Sequence, residues 1–87
     1  MRHFASPEFW ACYRALPKDV QELADEKYKL LKADPRHPSL QLKKVRRFWS
    51  ARVGLHHRVV GVDAQGLADG IVWFWIGTHG DYDRLVG

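Results

Sequence analysis

Residues 48–60 read FWSARVGLHHRVV and have the pattern of a β-hairpin. In the first half every second residue is apolar, which predicts a strand with one buried face. These apolar residues are Trp49, Ala51, Val53 and Leu55. A turn around residues 54–56 leads to a second strand at Arg58–Val62. If helices cover the apolar face, Ser50 and Arg52 point to the open face of the sheet.

Two helices are predicted before this hairpin. Ser6 can cap the first helix, with Pro7 at its first position, and an apolar stripe follows until Pro17. The second helix is predicted from Lys18 to Ala33, because its apolar residues keep a 3.6-residue period. It ends before Pro35, whose ring disfavours helical geometry in the preceding residue. Helices joined by so short a connection are expected to form an antiparallel hairpin.

The rest of the chain predicts further strands. Leu40 and Leu42 alternate with polar neighbours, and Ile71–Ile76 is a β-branched and aromatic run. Arg2–Ala5 is a candidate for a short edge strand. We therefore predict an α+β fold in one domain spanning residues 1–87. Its N-terminal antiparallel helical hairpin packs on one face of a mostly antiparallel sheet of four or five strands.

The composition is that of an ordinary globular protein. The 87 residues are 46% hydrophobic and 28% charged, which excludes a disordered tail or a coiled coil. The single cysteine, Cys12, cannot form an internal disulfide, and the N-terminus lacks the apolar core of a signal peptide. The longest apolar run, Ile71–Ile76, is too short to span a bilayer. We expect a cytoplasmic protein that does not associate with membranes.

Positive charge is concentrated in the centre of the chain. The net charge is +4, but residues 35–62 contain seven basic residues and no acidic residue. The basic residues are Arg36, Lys43, Lys44, Arg46, Arg47, Arg52 and Arg58. Because lysine and arginine neutralise phosphates, Lys43, Lys44, Arg46 and Arg47 are predicted to bind RNA. A solvated sheet edge that resists aggregation would have a similar composition.

Four side chains are candidates for chemistry on a phosphodiester. In a hairpin that turns near residue 55, Arg52 and Arg58 pair on neighbouring strands, and two like charges side by side indicate a bound anion. His79, in a glycine-flanked loop after the last strand, and Tyr82 could transfer protons. A histidine that only hydrogen-bonds to the backbone is the alternative for His79. The paired histidines of the hairpin have no third ligand at a suitable spacing, so no metal site is predicted.

The aromatic residues of the last strand have two interpretations. Alternation places Trp73 and Trp75 on one face and Phe74 on the other. Either face could stack the bases of single-stranded RNA. Packing in the core is the alternative, because a domain of this size has little interior.

These segments together resemble the RelE/ParE superfamily of bacterial type II toxins, most closely its YoeB branch. The likeness is carried by residues 48–60, by DPRHPSL and KK within residues 34–44, and by WIGTH and DY within residues 75–82. The resemblance implies a helical hairpin on a curved antiparallel sheet. It also implies a toxin that cleaves mRNA, usually in the ribosomal A site, or that poisons DNA gyrase. A cognate antitoxin would hold such a toxin inactive.

The resemblance also implies roles for individual residues. Arg58 matches the arginine that contacts the scissile phosphate, and Arg52 matches the basic strand residue before it. His79 and Tyr82 lie near the C-terminal positions of the catalytic set. The expected reaction is attack by the 2′-hydroxyl of the substrate, with no metal ion and no cofactor.

One residue of the YoeB branch is missing. That branch uses a glutamate as the base shortly before the strand, whereas residues 35–62 contain no acid. The base would then be His79 or a lysine. Two alternatives follow from the missing glutamate. The first is a toxin that inhibits gyrase through its helical hairpin, and the second is a basic nucleic-acid-binding or degenerate toxin with neither activity.

Overall fold

The computed structural model describes residues 1–86, in which five strands form one sheet. In chain order the elements are β1 (Arg2–Ala5), α1 (Pro7–Arg14), α2 (Lys18–Ala33), a 3₁₀ helix (Pro38–Leu40), β2 (Lys43–Val45), β3 (Phe48–Val53), β4 (His57–Asp63), β5 (Gly70–Thr78) and α3 (His79–Val86). The strand order across the sheet is β1-β5-β4-β3-β2. The predicted α+β class is confirmed. The sheet is mixed, because β1 pairs in parallel with β5 and the other neighbours pair antiparallel.

The N-terminal helices follow their sequence signals. Ser6 Oγ accepts a hydrogen bond from the Phe9 N–H at 3.3 Å and caps α1, and α2 has the predicted bounds. Tyr13 of α1 donates from Oη to Asp25 Oδ1 in the middle of α2 at 2.8 Å, and this hydrogen bond raises the pKa of Tyr13. Within residues 1–86, no helix has the length and apolar character needed to cross a membrane.

The core lies between the two N-terminal helices and one face of the sheet. Its buried members are Leu31, Leu40, Ala51, Ile71 and Trp73. Phe9 of α1 and Leu30 of α2 pack against this cluster. The predicted inward residues Ala51 and Val53 are only 2% and 3% exposed. Leu55, predicted to continue the apolar alternation, lies in the turn after β3 and is 73% exposed.

The register of β2, β3 and β4 defines the other face of the sheet. Directly paired residues project to the same side, and the pairs are Lys43 with Ser50, Phe48 with Val62, Ser50 with Val60, and Arg52 with Arg58. We call the surface formed by these residues the arginine face. The predicted pairing of Arg52 with Arg58 is confirmed.

A β-bulge redirects the aromatic residues of β5. Val60 pairs with Trp75 and Gly61 pairs with Trp73, so Phe74 is an extra residue between two pairs. The prediction that Trp73 and Trp75 share a face was wrong, because the bulge interrupts the two-residue period. Trp73 is buried in the core, whereas Trp75 is paired with a residue of the arginine face. Only glycine fits at position 61, since a Cβ atom there would lie 2.8 Å from a backbone oxygen of β5.

Two further segments differ from the prediction. Leu40 ends the 3₁₀ helix and does not belong to a strand, so β2 begins only at Lys43. His79 begins α3 and does not lie in a loop. Thr78 Oγ1 accepts a hydrogen bond from the Asp81 N–H at 3.2 Å at the start of this helix. This Thr-x-x-Asp spacing is itself a helix-start signal, although Gly80 within it favours a loop.

Candidate functional site

Arg58 is the buried charge of the arginine face. Its side chain is only 6% exposed, and Nη2 donates to Gln41 Oε1 at 3.2 Å. Among the described residues, Nε and Nη1 have no hydrogen-bond partner, and no carboxylate pairs with this guanidinium. A buried cation without a counter-charge is unfavourable unless an anion supplies one. Arg58 is therefore suited to bind a phosphate or carboxylate.

Tyr82 of α3 covers Arg58. The Cζ atom of Arg58 lies 5.1 Å from the centre of the Tyr82 ring, and Tyr82 is 5% exposed. Tyr82 Oη donates to the Oγ of the fully buried Ser50 at 3.2 Å. The sequence predicted that this side of the sheet is open. At Ser50 and Arg58 that prediction was wrong, because α3 packs over them.

His79 lies beside Tyr82 at the solvent-exposed edge of this site. The two ring centres are 5.9 Å apart, and the His79 side chain is 49% exposed. His79 Nε2 is 3.5 Å from Asp83 Oδ1, one helical turn further along α3. The backbone N–H of His79 donates to the His56 carbonyl at 2.8 Å and fixes the start of α3 to the β3–β4 turn. The structure thus places Tyr82 next to both His79 and Arg58.

The Arg52 side chain makes different contacts from Arg58, although the two residues are directly paired. Arg52 Nε donates to the Gly54 carbonyl at 3.1 Å, at the end of its own strand. Arg52 also lines a small cavity with Lys27 of α2, Ser39 and Leu55. The two guanidinium groups therefore have different partners, although their residues are paired in the sheet.

The two lysines of β2 lie on opposite faces of the sheet. Lys43 is exposed on the arginine face, and no ion-pair partner for it occurs within residues 1–86. Lys44 pairs with Trp49 on the other face, and its Nζ donates to Asp63 Oδ2 at 2.6 Å. Trp49 Nε1 donates to Asp63 Oδ1 at 2.7 Å. The hydrogen bonds from Lys44 and Trp49 lower the pKa of Asp63, and Asp63 neutralises the charge of Lys44.

Arg46 and Arg47 form the turn between β2 and β3. Both are exposed, and Arg46 has a left-handed backbone conformation with φ 59°. The Arg47 Cζ atom lies 5.2 Å from the centre of the Phe48 ring, which is a cation–π contact. The turn therefore holds two solvated positive charges next to the arginine face.

Three residues of the site were not found from the sequence. Gln41 binds Arg58 from 17 positions earlier in the chain, and no local pattern predicts a contact over that separation. Ser50 was assigned to solvent because α3 was not predicted. Asp83 has a usable signal, because it follows His79 by four residues, the spacing of neighbours on one helix face.

A larger cavity than the one beside Arg52 lies between the N-terminal helices and the sheet. It has a volume of about 280 Å³ and is lined mainly by apolar and aromatic side chains, among them Phe9, Tyr28 and Leu31. His3 at this cavity accepts a hydrogen bond from Trp73 Nε1 at 3.1 Å, and burial lowers the pKa of His3. Residues 1–86 contain no group of three or more His, Cys, Asp or Glu side chains that could hold a metal ion. The arginine face thus remains the place where charged and proton-transferring groups meet.

Solved structures with the same fold include several toxins. RelE from Pyrococcus horikoshii, solved as a RelE–RelB complex, aligns with a TM-score of 0.69 at 18% identity over 91% of this chain and 94% of RelE. A YoeB/ParE toxin from Agrobacterium tumefaciens gives 0.64 at 15% identity, covering 91% and 99%. The isolated E. coli RelE toxin gives 0.62 at 15% identity, covering 98% and 94%. The sequence matches no protein-family model and no curated protein. The resemblance to the RelE/ParE superfamily is confirmed at the level of the fold.

Proposed function

We propose that this protein is the toxin of a type II toxin–antitoxin pair and that it cleaves mRNA, acting with the ribosome in the cytoplasm. The observation that carries the proposal is Arg58, a buried guanidinium with free N–H groups and no carboxylate partner among the described residues. A phosphodiester supplies the missing negative charge and accepts two parallel hydrogen bonds from a guanidinium. The neighbouring His79 and Tyr82 supply groups that exchange protons.

In the proposed reaction the substrate's own 2′-hydroxyl is the nucleophile. The 2′-oxygen attacks the adjacent phosphorus and the bond to the 5′-oxygen breaks, which leaves a 2′,3′-cyclic phosphate and a 5′-hydroxyl. The His79 imidazole accepts the proton of the 2′-hydroxyl, and Tyr82 donates one to the leaving oxygen. Arg58, with Arg52 nearby on β3, stabilises the negative charge that develops on the phosphorane. Exchange with solvent then returns both side chains to their starting protonation.

Substrate can reach Arg58 only if α3 moves. Tyr82 is the buried residue of this eight-residue helix, and its ring lies over the guanidinium. A helix of this length is marginal by itself, so its position depends on packing. We propose that RNA displaces Tyr82 from Arg58 and that the tyrosine then reaches the leaving group.

We also propose that a cognate antitoxin binds this protein. The RelE of P. horikoshii was solved in complex with RelB, and it has the same fold as this chain. The arginine face and the apolar cavity beside the helices offer two surfaces of different character for such a partner. A neighbouring gene whose product neutralises toxicity is the expected finding, and its absence would count against the proposal.

Inhibition of DNA gyrase is the second candidate. It is favoured by the aromatic surface around the N-terminal helices, where Phe4, Trp10 and Tyr28 are 44%, 45% and 44% exposed. Exposed aromatic groups of this kind are typical of protein interfaces. Intact mRNA together with accumulated DNA breaks after induction would support this candidate over mRNA cleavage.

Replacing Arg58 tests the proposed activity. Arg58→Ala is expected to abolish growth arrest and mRNA cleavage, because it removes the group that binds the scissile phosphate. The measurement is a map of mRNA 5′ ends after brief induction, beside growth curves. The matched control is Arg36→Ala, an exposed arginine of the same acid-free block, which should remain toxic. A folded R58A protein that still cleaves mRNA would contradict the proposal.

A further inference from the structure

We propose that Phe48 and Phe74 form a base-stacking platform next to the Arg58 site, and that this platform binds single-stranded RNA. The inference rests on the proposed function and adds to it a position that binds bases. The two rings come from β3 and β5, lie 6.1 Å apart between centres and are inclined by 52°. Both side chains are only partly buried, so each ring keeps an accessible surface.

The register of β3, β4 and β5 places the two rings on one side of the sheet. Val62 pairs with Phe48 on one side and with Val72 on the other, so β3 and β5 flank it. Phe74 is the extra residue of the bulge and contacts Phe48 across β4. With regular pairing throughout β5, Phe74 and Trp75 would project to opposite faces. Phe74 follows Val72 by two residues and therefore keeps the face of Val72 and Phe48, and the bulge turns Trp75 to that face as well.

The charges around the platform are those that RNA requires. The Arg47 guanidinium lies 5.2 Å from the Phe48 ring centre, and Lys43 is exposed on the same face. No acid occurs in the chain from residue 35 to residue 62, and Asp63 is occupied by Lys44 on the opposite face. Aromatic rings that can stack bases thus lie beside cations that can bind phosphates. This combination binds single strands with little dependence on sequence.

The platform is also within reach of the phosphate site. Phe48 is paired with Val62, which lies four residues along β4 from Arg58, roughly 13 Å at the rise of a strand. Tyr82 covers Arg58 and Ser50 but leaves Phe48 and Phe74 partly exposed. Bases can therefore stack on Phe48 and Phe74 before α3 moves. This stacking holds the RNA strand near the covered Arg58.

The test compares two probes that differ only in their bases. One is a short, fluorescently labelled 2′-O-methyl oligoadenylate, which cannot be cleaved, and the other is an abasic oligomer of the same length. Phe74→Leu and Phe48→Leu are expected to weaken oligoadenylate binding about tenfold each, the effect of losing one base–aromatic stack. They should leave abasic binding unchanged. Phe74→Tyr should restore binding, and Phe4→Leu, at an exposed ring on β1, is the control.

Several outcomes would overturn the platform. If the leucine substitutions weaken binding of the oligoadenylate and of the abasic oligomer equally, the rings only support the fold. Unchanged oligoadenylate binding with loss of antitoxin binding would assign this surface to the protein partner. The proposed function is judged separately by R58A, because the uncleavable probe reports binding alone. If wild type stacks bases but leaves mRNA intact, the platform stands and the cleavage proposal fails.

Discussion

At the scale of single residues, the burial of Arg58 has a cost in stability. Its guanidinium is removed from water, yet only one contact within the described residues, to Gln41, replaces the lost hydration. The cation–π contact with Tyr82 offsets part of that cost, by about 1 to 2 kcal/mol in a desolvated position. Apolar residues of similar volume often stabilise proteins when they replace buried charges. The position is therefore better explained by binding than by folding.

We predict that Arg58→Met leaves the free energy of unfolding unchanged or raises it, by about 1 kcal/mol, while it abolishes RNA cleavage. Methionine fills much of the space along Tyr82 and needs no counter-charge. The measurement is urea unfolding followed by tryptophan fluorescence, with Arg36→Met as the exposed control, expected within about 0.5 kcal/mol of wild type. A loss of more than about 1 kcal/mol in R58M would mean that the arginine is a structural residue.

At the scale of elements, α3 is held to the sheet mainly through Tyr82. This is its buried residue, and its hydroxyl binds Ser50 on β3. We predict that Tyr82→Ala releases α3, so that amide hydrogens of residues 79–86 exchange faster with deuterium and Arg58 reacts faster with phenylglyoxal. Leu85→Ala, at a side chain 41% exposed on the same helix, is the control and should change neither rate. Unchanged exchange of α3 in the tyrosine variant would show that other contacts hold the helix.

Elements predicted from local signals agree with the structure, whereas the bulge in β5 and helix α3, which depend on distant contacts, were missed. The bounds of α2 and the pairing of Arg52 with Arg58 follow from periodicity and turn position, which are local properties. The bulge was missed because it lies where Gly61 packs closely against β5, and no pattern within one strand reveals that contact. α3 was missed because Gly80 follows His79 and favours a loop, while Tyr82 stabilises the helix through a residue 32 positions away.

The candidate site, too, was predictable only where it depends on local sequence signals. Arg58, His79 and Tyr82 were identified by residue type and spacing, and the fold places Tyr82 next to the other two. The burial of Arg58 was not predictable, because it is produced by α3. The sequence also could not separate Lys43 from Lys44, since the register that assigns them to opposite faces belongs to the pairing of β2 with β3.

At the scale of the whole molecule, the fold separates the charges that the sequence places side by side. The acid-free block forms β2, β3 and most of β4, and the exposed cations Lys43, Arg46 and Arg47 of β2 and the turn after it lie on or beside the arginine face. Lys44 is the exception, because it lies on the helical side and is paired with Asp63. A phosphate backbone on the arginine face should therefore contact Lys43 and Arg47 but not Lys44.

We predict that the salt dependence of RNA binding reports this division. For single strands, each phosphate contact adds about 0.7 to the slope of log Kd against log salt concentration, because binding releases condensed counterions. Lys43→Ala and Arg47→Ala should each reduce the slope by about that amount. Lys44→Ala should leave it nearly unchanged, although both lysines belong to the same three-residue strand. The measurement is fluorescence anisotropy with an uncleavable RNA over a series of salt concentrations. Equal reductions for the two lysines would mean that RNA approaches both faces of β2, and the assignment of the nucleic-acid surface to the arginine face would then be wrong.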